Sequence, residues 1–497
     1  MRYKAAAVQF DPKFMDRAGN TERLAQLVTQ AAATGARLVV LPEMAAVGYC
    51  FVDRQEVSGV VEHVPDGPTV RTFADLAATL GIYIVVGLPE VEPSTGAFYN
   101  TAVLLGPQGY IGQYRKTHAF MDDTRWARDG NLGIPVFDTD LGRIAILICM
   151  DADYFEPARV AALSGADVIA FPANWLGSRL SWRARASENG CYMVCANRPG
   201  DERGVKFAGH SAIIDPNGTV LDELAMQNGV AVAEIDTDLA RTARGRALAL
   251  RRPEEYQDLL LSSYLWYWRN LRNMPEGRPV VVAAGSGTEA AAMADQVRLA
   301  DKQARDQEMG GLDLMVFPLG TAPANADSLW QTARELNCYL VWGSTEPSGV
   351  AATYLVGPAG LMAQERTGAT GNHPEERFAV HDLPWGRIGL LTGADLLLPE
   401  PCRILAKRAA DLIAVPAAWE SQETQFLWSV RSFENDTGVV VANALGGSGI
   451  FAPGYRGENR PVGGIVVGVV NTGLEKLRCK EMLRKLQPRW YDPLVSR

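Results

Sequence analysis

The sequence predicts an α/β protein made of two tandem copies of one domain, and three observations carry this. Short continuous apolar runs, the signature of strands buried on both faces, alternate with segments that are apolar at helical spacing. Several runs end on a charged or nucleophilic residue, at the strand ends where open α/β sheets gather ligands. A long block of the first half recurs in the second. With 497 residues, the chain is also too long for a single core, and two domains are the default.

The first half reads as follows. AAAVQF (Ala5 to Phe10) is the first strand. Thr21 is the expected cap of a helix running to Ala33, with Leu24, Leu27 and Val28 on one face. RLVVLPE is a buried strand closed by Pro42, which leaves Glu43 at its tip. A helix over Val70 to Leu80 leads to the strand IYIVVG. NTAVLLGPQGYIGQYRKTH is a hairpin that turns at Pro107 to Gly109 and delivers Lys116 at its far end. The central stretch is RIAILICMDADYFEPAR, in which the apolar run Ile144 to Ile148 stops abruptly at Cys149. A helix across Pro157 to Leu163, the strand DVIAFPANW, a helix around Ala184 to Gly190, the strand YMVCAN and the hairpin SAIIDPNGTVLDEL complete the copy.

Composition narrows the function classes. Hydrophobic content of 47% and charged content of 21% are those of a globular protein. A net charge of −9 argues against a general binder of nucleic acid or anionic membrane. The cysteines number seven, scattered and mostly within apolar runs, which is reduced-compartment usage rather than a disulfide framework. MRYKAAAVQF enters a strand without a signal segment, and no apolar stretch is long enough to span a bilayer, so a cytoplasmic protein is expected. His63, His118, His210, His373 and His381 show no metal-ligand spacing, and no glycine motif cradles phosphate, so neither metal nor cofactor is expected. GHSAI around Ser211 lacks the last glycine of a nucleophile elbow.

The repeat is the strongest internal signal. GRIAILICMDADYFEPARVAALSGADVIAFPANW, from Gly142, aligns without a gap on GRIGLLTGADLLLPEPCRILAKRAADLIAVPAAW, from Gly386. RASENGCYMVCANRPG pairs with RSFENDTGVVVANALG, LLGPQGYIGQYRKT with LVGPAGLMAQERTG, and RLVVLPEM with DLMVFPLG. Expected boundaries are 1–260 for the first domain, 261–277 for a linker within an aromatic-rich bridge ending in PEGRP, and 278–497 for the second domain.

The repeat also serves as an internal control. Alone, a buried Cys is more often core than nucleophile, and a Glu or Lys at a strand end is usually just solvated. In the second copy Glu43 faces Leu319, Lys116 faces Thr367 and Cys149 faces Gly393, while Gly142, Arg143, Asp151, Glu156, Arg159, Asp167, Pro172 and Trp175 have identical counterparts. The framework does without the three polar residues in one copy, so they point to function in the other. Asp151, Glu156, Arg159 and Glu188, which recur, read as structural.

LPEMAAVGY, YRKTH and LICMDADYFEPAR, with ENGCYMVCANRPG, FAGHSAIIDPNGTVL and RRPEEY, resemble the nitrilase, or carbon–nitrogen hydrolase, superfamily over about the first half of the chain. The second half resembles it in framework only. The resemblance implies two αββα sandwiches, packed as an intramolecular pseudo-dimer, and a catalytic triad of Glu43, Lys116 and Cys149. In that triad Glu43 takes the thiol proton, Lys116 and the Met150 backbone N–H hold the oxyanion, and a thioester forms as ammonia or amine leaves. Counting back from Trp126 puts Asp123 where members carry a second glutamate, one methylene longer. Met150-Asp151 stands where nitrile-hydrolysing members place Trp-Glu, which tilts the reading toward amides. Phe155-Glu156-Pro157 replaces the usual Phe-Pro-Glu. Asn174, replaced by Ala418 in the second copy, is the stronger substrate-contact candidate; Trp175 and Tyr49 are further candidates, with framework the competing role for Trp175 and an exposed loop position that for Tyr49.

The expected activity is hydrolysis of small non-peptide amides by the first domain. Competing readings are a nitrilase, an N-carbamoyl hydrolase, an acyltransferase and a non-catalytic scaffold. The expected partner is a small-molecule amide, without nucleic acid or membrane, and a homodimer of pseudo-dimers is one possible assembly.

Overall fold

The structure, a computed structural model, describes residues 1–177, 179–261, 274–287, 289–320, 327–346, 349–366, 377–419, 425–453, 464–473 and 481–496. The bridge over 262–273 and Thr367, the counterpart of Lys116, lie outside the described residues. The chain divides into two compact units, Met1–Arg251 and Arg252–Arg497.

In the first unit the strands are β1 (Arg2–Gln9), β2 (Ala36–Val40), β3 (Tyr83–Val91), β4 (Phe98–Gly106), β5 (Gly109–Arg115), β6 (Val136–Thr139), β7 (Gly142–Ile146), β8 (Val168–Pro172), β9 (Tyr192–Ala196), β10 (Pro199–Glu202), β11 (Val205–Ala208), β12 (Ala212–Ile214), β13 (Val220–Glu223) and β14 (Gly229–Asp236). They form two six-stranded sheets, ordered β14-β1-β2-β3-β4-β5 and β13-β12-β9-β8-β7-β6, and the small hairpin β10–β11. The centres of both sheets are parallel, β1-β2-β3 and β7-β8-β9.

Alternation along the strands explains the layering. Ala5, Ala7, Leu38, Val40, Val85 and Leu104 face the second sheet, packing with Ile144, Ile146, Val168 and Ala170. Their neighbours Ala6, Val8, Val39, Ile84, Val86 and Val103 face the other way, against Leu24, Val28, Phe73 and Ala77 of the helices Arg17–Ala33 and Pro68–Leu80. A one-residue slip would exchange the two sets, so the register is firmly fixed. Helices Phe155–Leu163 and Leu180–Asn189 cover the second sheet through Ala158, Ala161, Trp182 and Ala186. The result is an αββα sandwich. Each large apolar side chain it buries contributes roughly 1.5–3 kcal/mol.

Some expected boundaries move. The first helix starts at Arg17, because Asp16 accepts the Gly19 N–H at 3.1 Å and so provides the cap. Thr21 instead lies inside the helix, its hydroxyl donating to the Arg17 carbonyl at 2.7 Å. The helix after Cys149 includes Phe155-Glu156-Pro157 in its first turn, where a proline removes no helical hydrogen bond. Strand β14 and the helix Thr237–Leu248 follow the last expected hairpin, and β14 pairs antiparallel with β1.

The second unit contains β15 (Pro279–Ala284), β16 (Leu314–Gly320), β17 (Tyr339–Thr345), β18 (Ala351–Gly357), β19 (Gly360–Arg366), β20 (Val380–Leu383), β21 (Gly386–Leu390), β22 (Leu412–Ala417), β23 (Gly438–Asn443), β24 (Gly449–Phe451) and β25 (Val466–Asn471). Its sheets run β25-β15-β16-β17-β18-β19 and β20-β21-β22-β23-β24, the order of the first unit without its last edge strand among the described residues. Val280, Val282 and Val316 pack between the sheets with Ile388 and Leu412, and Val281, Met315 and Phe317 face Met293, Val297 and Ala333 of two helices. Among the described residues no helix is long and apolar enough to cross a membrane.

Candidate active site

The site of the first unit is built at strand ends. Glu43 follows β2, Lys116 follows β5, Cys149 follows β7 and Asn174 follows β8. All four side chains are buried. The Lys116 ammonium donates to Glu43 Oε1 at 2.7 Å and to Asp123 Oδ2 at 2.6 Å. An ammonium has three N–H groups, so one is left for the site. Asn100, on β4, donates from Nδ2 to Glu43 Oε1 at 2.7 Å and to Asp123 Oδ1 at 3.0 Å. Glu43 Oε2, by contrast, is buried with no hydrogen-bond partner. The carboxylate is thus held by one oxygen and open at the other.

Cys149 sits at the junction of β7 and the short 3₁₀ turn Cys149–Asp153, with φ of 46°. That is left-handed backbone, which costs a non-glycine residue of order 1 kcal/mol or more and persists where the surroundings enforce it. Asp151 ties down the backbone around it. Its Oδ2 accepts the Ile148 N–H at 2.9 Å and the Tyr114 hydroxyl at 2.8 Å. Its Oδ1 faces the Thr117 hydroxyl at 3.0 Å and His118 Nδ1 at 2.8 Å. Residues on both sides of the cysteine, and those just after Lys116, are therefore tied to one carboxylate.

The electrostatics follow from burial and neighbours. Burial pushes the Cys149 thiol well above its ordinary value and the nearby Glu43 carboxylate adds to this, while Lys116 and the Asn174 backbone N–H oppose it. Burial also raises the Glu43 carboxyl, Lys116 counteracts and Asp123 adds to the rise. For Lys116 burial works against the charge, yet Asp123 and Glu43 hold the ammonium well above its usual range. Burial thus favours the neutral thiol and raises the basicity of Glu43, while the two carboxylates favour the charged form of Lys116.

The other sequence-predicted residues take distinct places. Asp123 has both oxygens engaged, by Lys116, Asn100 and the Phe120 N–H at 3.2 Å; it faces the lysine. Met150 follows Cys149 in the 3₁₀ turn and is buried. Asn174 donates from its side chain to the Glu43 carbonyl at 3.1 Å, and its Oδ1 has no hydrogen-bond partner. Trp175 is locked by its N–H to Asn197 Oδ1 at 2.7 Å and packs edge-on to Phe171 and Trp182. Trp419 of the second unit is held alike by Asn443 at 2.6 Å, as a framework residue would be. Tyr49 is buried, not exposed on a loop; its ring lies 5.8 Å from the Lys116 ammonium and its hydroxyl donates to the Phe120 carbonyl at 2.8 Å. Asn100 was not expected from the sequence. Its signal was present in the repeat, where Thr101 pairs with Arg115 as Ala352 pairs with Arg366, which sets Asn100 against Ala351.

With the geometry in place, similarity to known proteins becomes informative. Residues 4–245 match the carbon–nitrogen hydrolase family model. The chain is 42% identical over 245 residues to a nitrilase of Pyrococcus abyssi, spanning 92% of that protein and 48% of this one. The chain belongs to the carbon–nitrogen hydrolase family. It is also 31% identical over 245 residues to a 2-oxoglutaramate amidase of Bacillus subtilis, again across 92% of that protein and 48% of this one. Among solved structures it resembles a carbon–nitrogen hydrolase from Helicobacter pylori G27, with 26% identity, a TM-score of 0.49, and coverage of 52% of this chain and 98% of that one. As a member of the family, this carbon–nitrogen hydrolase carries its matched region in the first unit.

Proposed function

We propose that the first unit hydrolyses small non-peptide amides through Glu43, Lys116 and Cys149, and that the second unit is a catalytically inactive copy. The observation that carries the reading is the buried Glu43 carboxylate, with Oε1 fixed by Lys116 and Asn100 and Oε2 unengaged, beside a thiol held in strained backbone. A general base needs this arrangement: one oxygen oriented, the other free to take a proton.

The reaction runs as follows. Glu43 accepts the Cys149 proton as sulfur attacks the amide carbon. Negative charge collects on the former carbonyl oxygen, where the remaining Lys116 N–H and the Met150 backbone N–H hold it. Glu43 returns its proton to the departing nitrogen as the carbon–nitrogen bond breaks, leaving a thioester on Cys149. Water gives a proton to Glu43 and attacks the thioester; the oxyanion collapses, the acid leaves and the thiolate regains the proton from Glu43. Asp123 and Asn100 act by keeping Lys116 and Glu43 in place.

Leu319 and Gly393 in the second unit offer neither base nor nucleophile, which supports the inactive reading. The test is ammonia release by the full chain from simple aliphatic amides, ω-amides of dicarboxylic acids, carbamoyl amides and the matching nitriles, with Cys149→Ala as control. Release from amides that vanishes in the variant supports the proposal. Turnover of nitriles alone, or acyl products formed only with an added amine acceptor, would replace it.

A further inference from the structure

Among the described residues, comparison of the two units isolates a hairpin in the first that the matching connection of the second lacks. In the first, Asn197 accepts the Trp175 N–H, donates from Nδ2 to the Gly209 carbonyl at 2.6 Å, and sends its N–H to Ser211 Oγ at 2.9 Å. In the second, Asn443 makes the same three bonds, with the Trp419 N–H, the Gly446 carbonyl at 2.6 Å and Ser448 Oγ at 3.0 Å. The asparagine and serine are 14 positions apart in the first unit but 5 in the second. The extra chain is the hairpin β10–β11.

This hairpin reaches the site. It closes on a tight turn, with Arg203 and Gly204 both left-handed at φ of 55° and 86°. At its tip the buried Glu202 accepts the backbone N–H groups of Tyr49 and Cys50, both at 2.7 Å, on one oxygen. Its other oxygen takes Arg198 Nη1 at 2.8 Å, and Arg198 is braced by Asp11 at 2.5 Å and stacks on Phe207 with its guanidinium carbon 4.4 Å from the ring centre. Arg203 donates to the Cys50 carbonyl at 3.1 Å. Phe207 meets the Tyr49 ring edge-on at 6.2 Å. Gly48 permits the approach, since a Cβ there would lie 2.5 Å from Glu202 Oε2. Tyr49 in turn faces Lys116 and holds the Phe120 carbonyl, while the Phe120 N–H holds Asp123.

We propose that β10–β11 is a specificity element of the first unit, with Glu202 a positioning residue that fixes Tyr49 against Lys116 and so sets which acyl groups the site accepts. The proposal rests on the triad reading above. A buried carboxylate that spends one oxygen on two consecutive backbone N–H groups sets the path of that segment, and a second-unit framework that closes without the hairpin shows that the fold does not need it.

The experiment measures kcat and KM of the full chain on a series of straight-chain primary amides of increasing acyl length, together with the rate of Cys149 alkylation by iodoacetamide. Glu202→Ala should raise KM about tenfold or more for the preferred acyl length and change the rank order of the series. Glu202→Gln, which retains an acceptor, should recover most of the loss. Phe207→Ala, which keeps the Glu202 hydrogen bonds to the Tyr49 and Cys50 N–H groups, should shift the rank order as well. Alkylation of Cys149 should stay at the wild-type rate in all three. An unchanged rank order in the Glu202→Ala and Phe207→Ala proteins overturns the proposal, as does a parallel fall of kcat/KM for every amide together with alkylation. Turnover that survives in Cys149→Ala would instead sink the triad reading, so the two failures are distinct.

Discussion

The ends of β7 and β21 are the most instructive pair of regions in this molecule. Both strands enter a 3₁₀ turn through the same device: Asp151 accepts the Ile148 N–H at 2.9 Å, and Asp395 accepts the Thr392 N–H at 3.0 Å. Both turns are followed by a helix whose buried arginine, Arg159 or Arg403, donates to the Glu188 or Glu434 carbonyl, at 2.8 and 2.7 Å. Yet the first turn begins with a cysteine forced to φ of 46°, and the second with Gly393, whose backbone is not left-handed although glycine would tolerate it. Strain is therefore present where the residue resists it and absent where the residue would allow it. A framework does not require such an inversion, which supports the proposal that Cys149 carries the chemistry.

The largest effect expected from this difference is catalytic. Cys149→Ala should lower amide turnover by about 10⁴-fold or more, the scale of removing a nucleophile, with the folded state kept. Glu43→Gln should follow at about 10²–10⁴-fold, the scale of a general base. Substitutions at Leu319 or Gly393 should leave turnover unchanged, and a loss of comparable size there would break the comparison.

Stability should respond differently at the buried charges. Lys116→Met strands Glu43 and Asp123 without their cation, a loss of about 3–5 kcal/mol at neutral pH in chemical unfolding of the first unit. Burial already raises the Glu43 carboxyl against the opposing pull of Lys116, so without the ammonium its folded pKa stands further above the unfolded one. The penalty is therefore full at neutral pH and shrinks as pH falls through that raised value and Glu43 takes up a proton. A loss that did not shrink in acid would contradict the charge argument.

The pH profile sharpens the same point. Because burial and Asp123 raise the Glu43 carboxyl, kcat/KM should fall on acidification at a pH above the usual carboxylate value of about 4.3. An acid limb at or below that value would remove Glu43 as the base.

The smallest effect concerns backbone alone. At position 149 glycine relieves the left-handed strain and alanine does not, so Cys149→Gly should be more stable than Cys149→Ala by about 1 kcal/mol. At position 393 the sign reverses. A Cβ there would lie 2.8 Å from the Ala417 Cβ, and Gly393→Ala should cost about 1–3 kcal/mol by overpacking. Thermal unfolding of the variant pairs reads both.

Much of this was legible in the sequence. The strands ending at Glu43 and Cys149 announce themselves as apolar runs, and the repeat singles out the polar residues beyond them. Other features were not legible, for physical reasons. Asn100 lies within a strand and works through its side chain across the sheet, so strand pattern alone passes over it. The first helix begins at Arg17 because a side-chain cap at Asp16 outweighs the lack of apolar periodicity in its first turn. Asp123 occupies an expected position, but its engagement with Lys116 and Asn100 depends on three segments meeting in space. The β10–β11 hairpin is short, polar at its tip and without strand periodicity; the shorter second-unit connection is what exposes it.

The most direct test of the central claim is to trap the acyl-enzyme. The full-length protein, mixed with a hydrolysable amide and quenched in acid during turnover, would be digested and its peptides weighed. The account predicts a mass gain equal to the acyl group on the peptide containing Cys149, absent in Cys149→Ala, with no gain on the second-unit peptides containing Cys338 or Cys402. Acylation at any other residue, or unimpaired turnover in the Cys149→Ala protein, would contradict it.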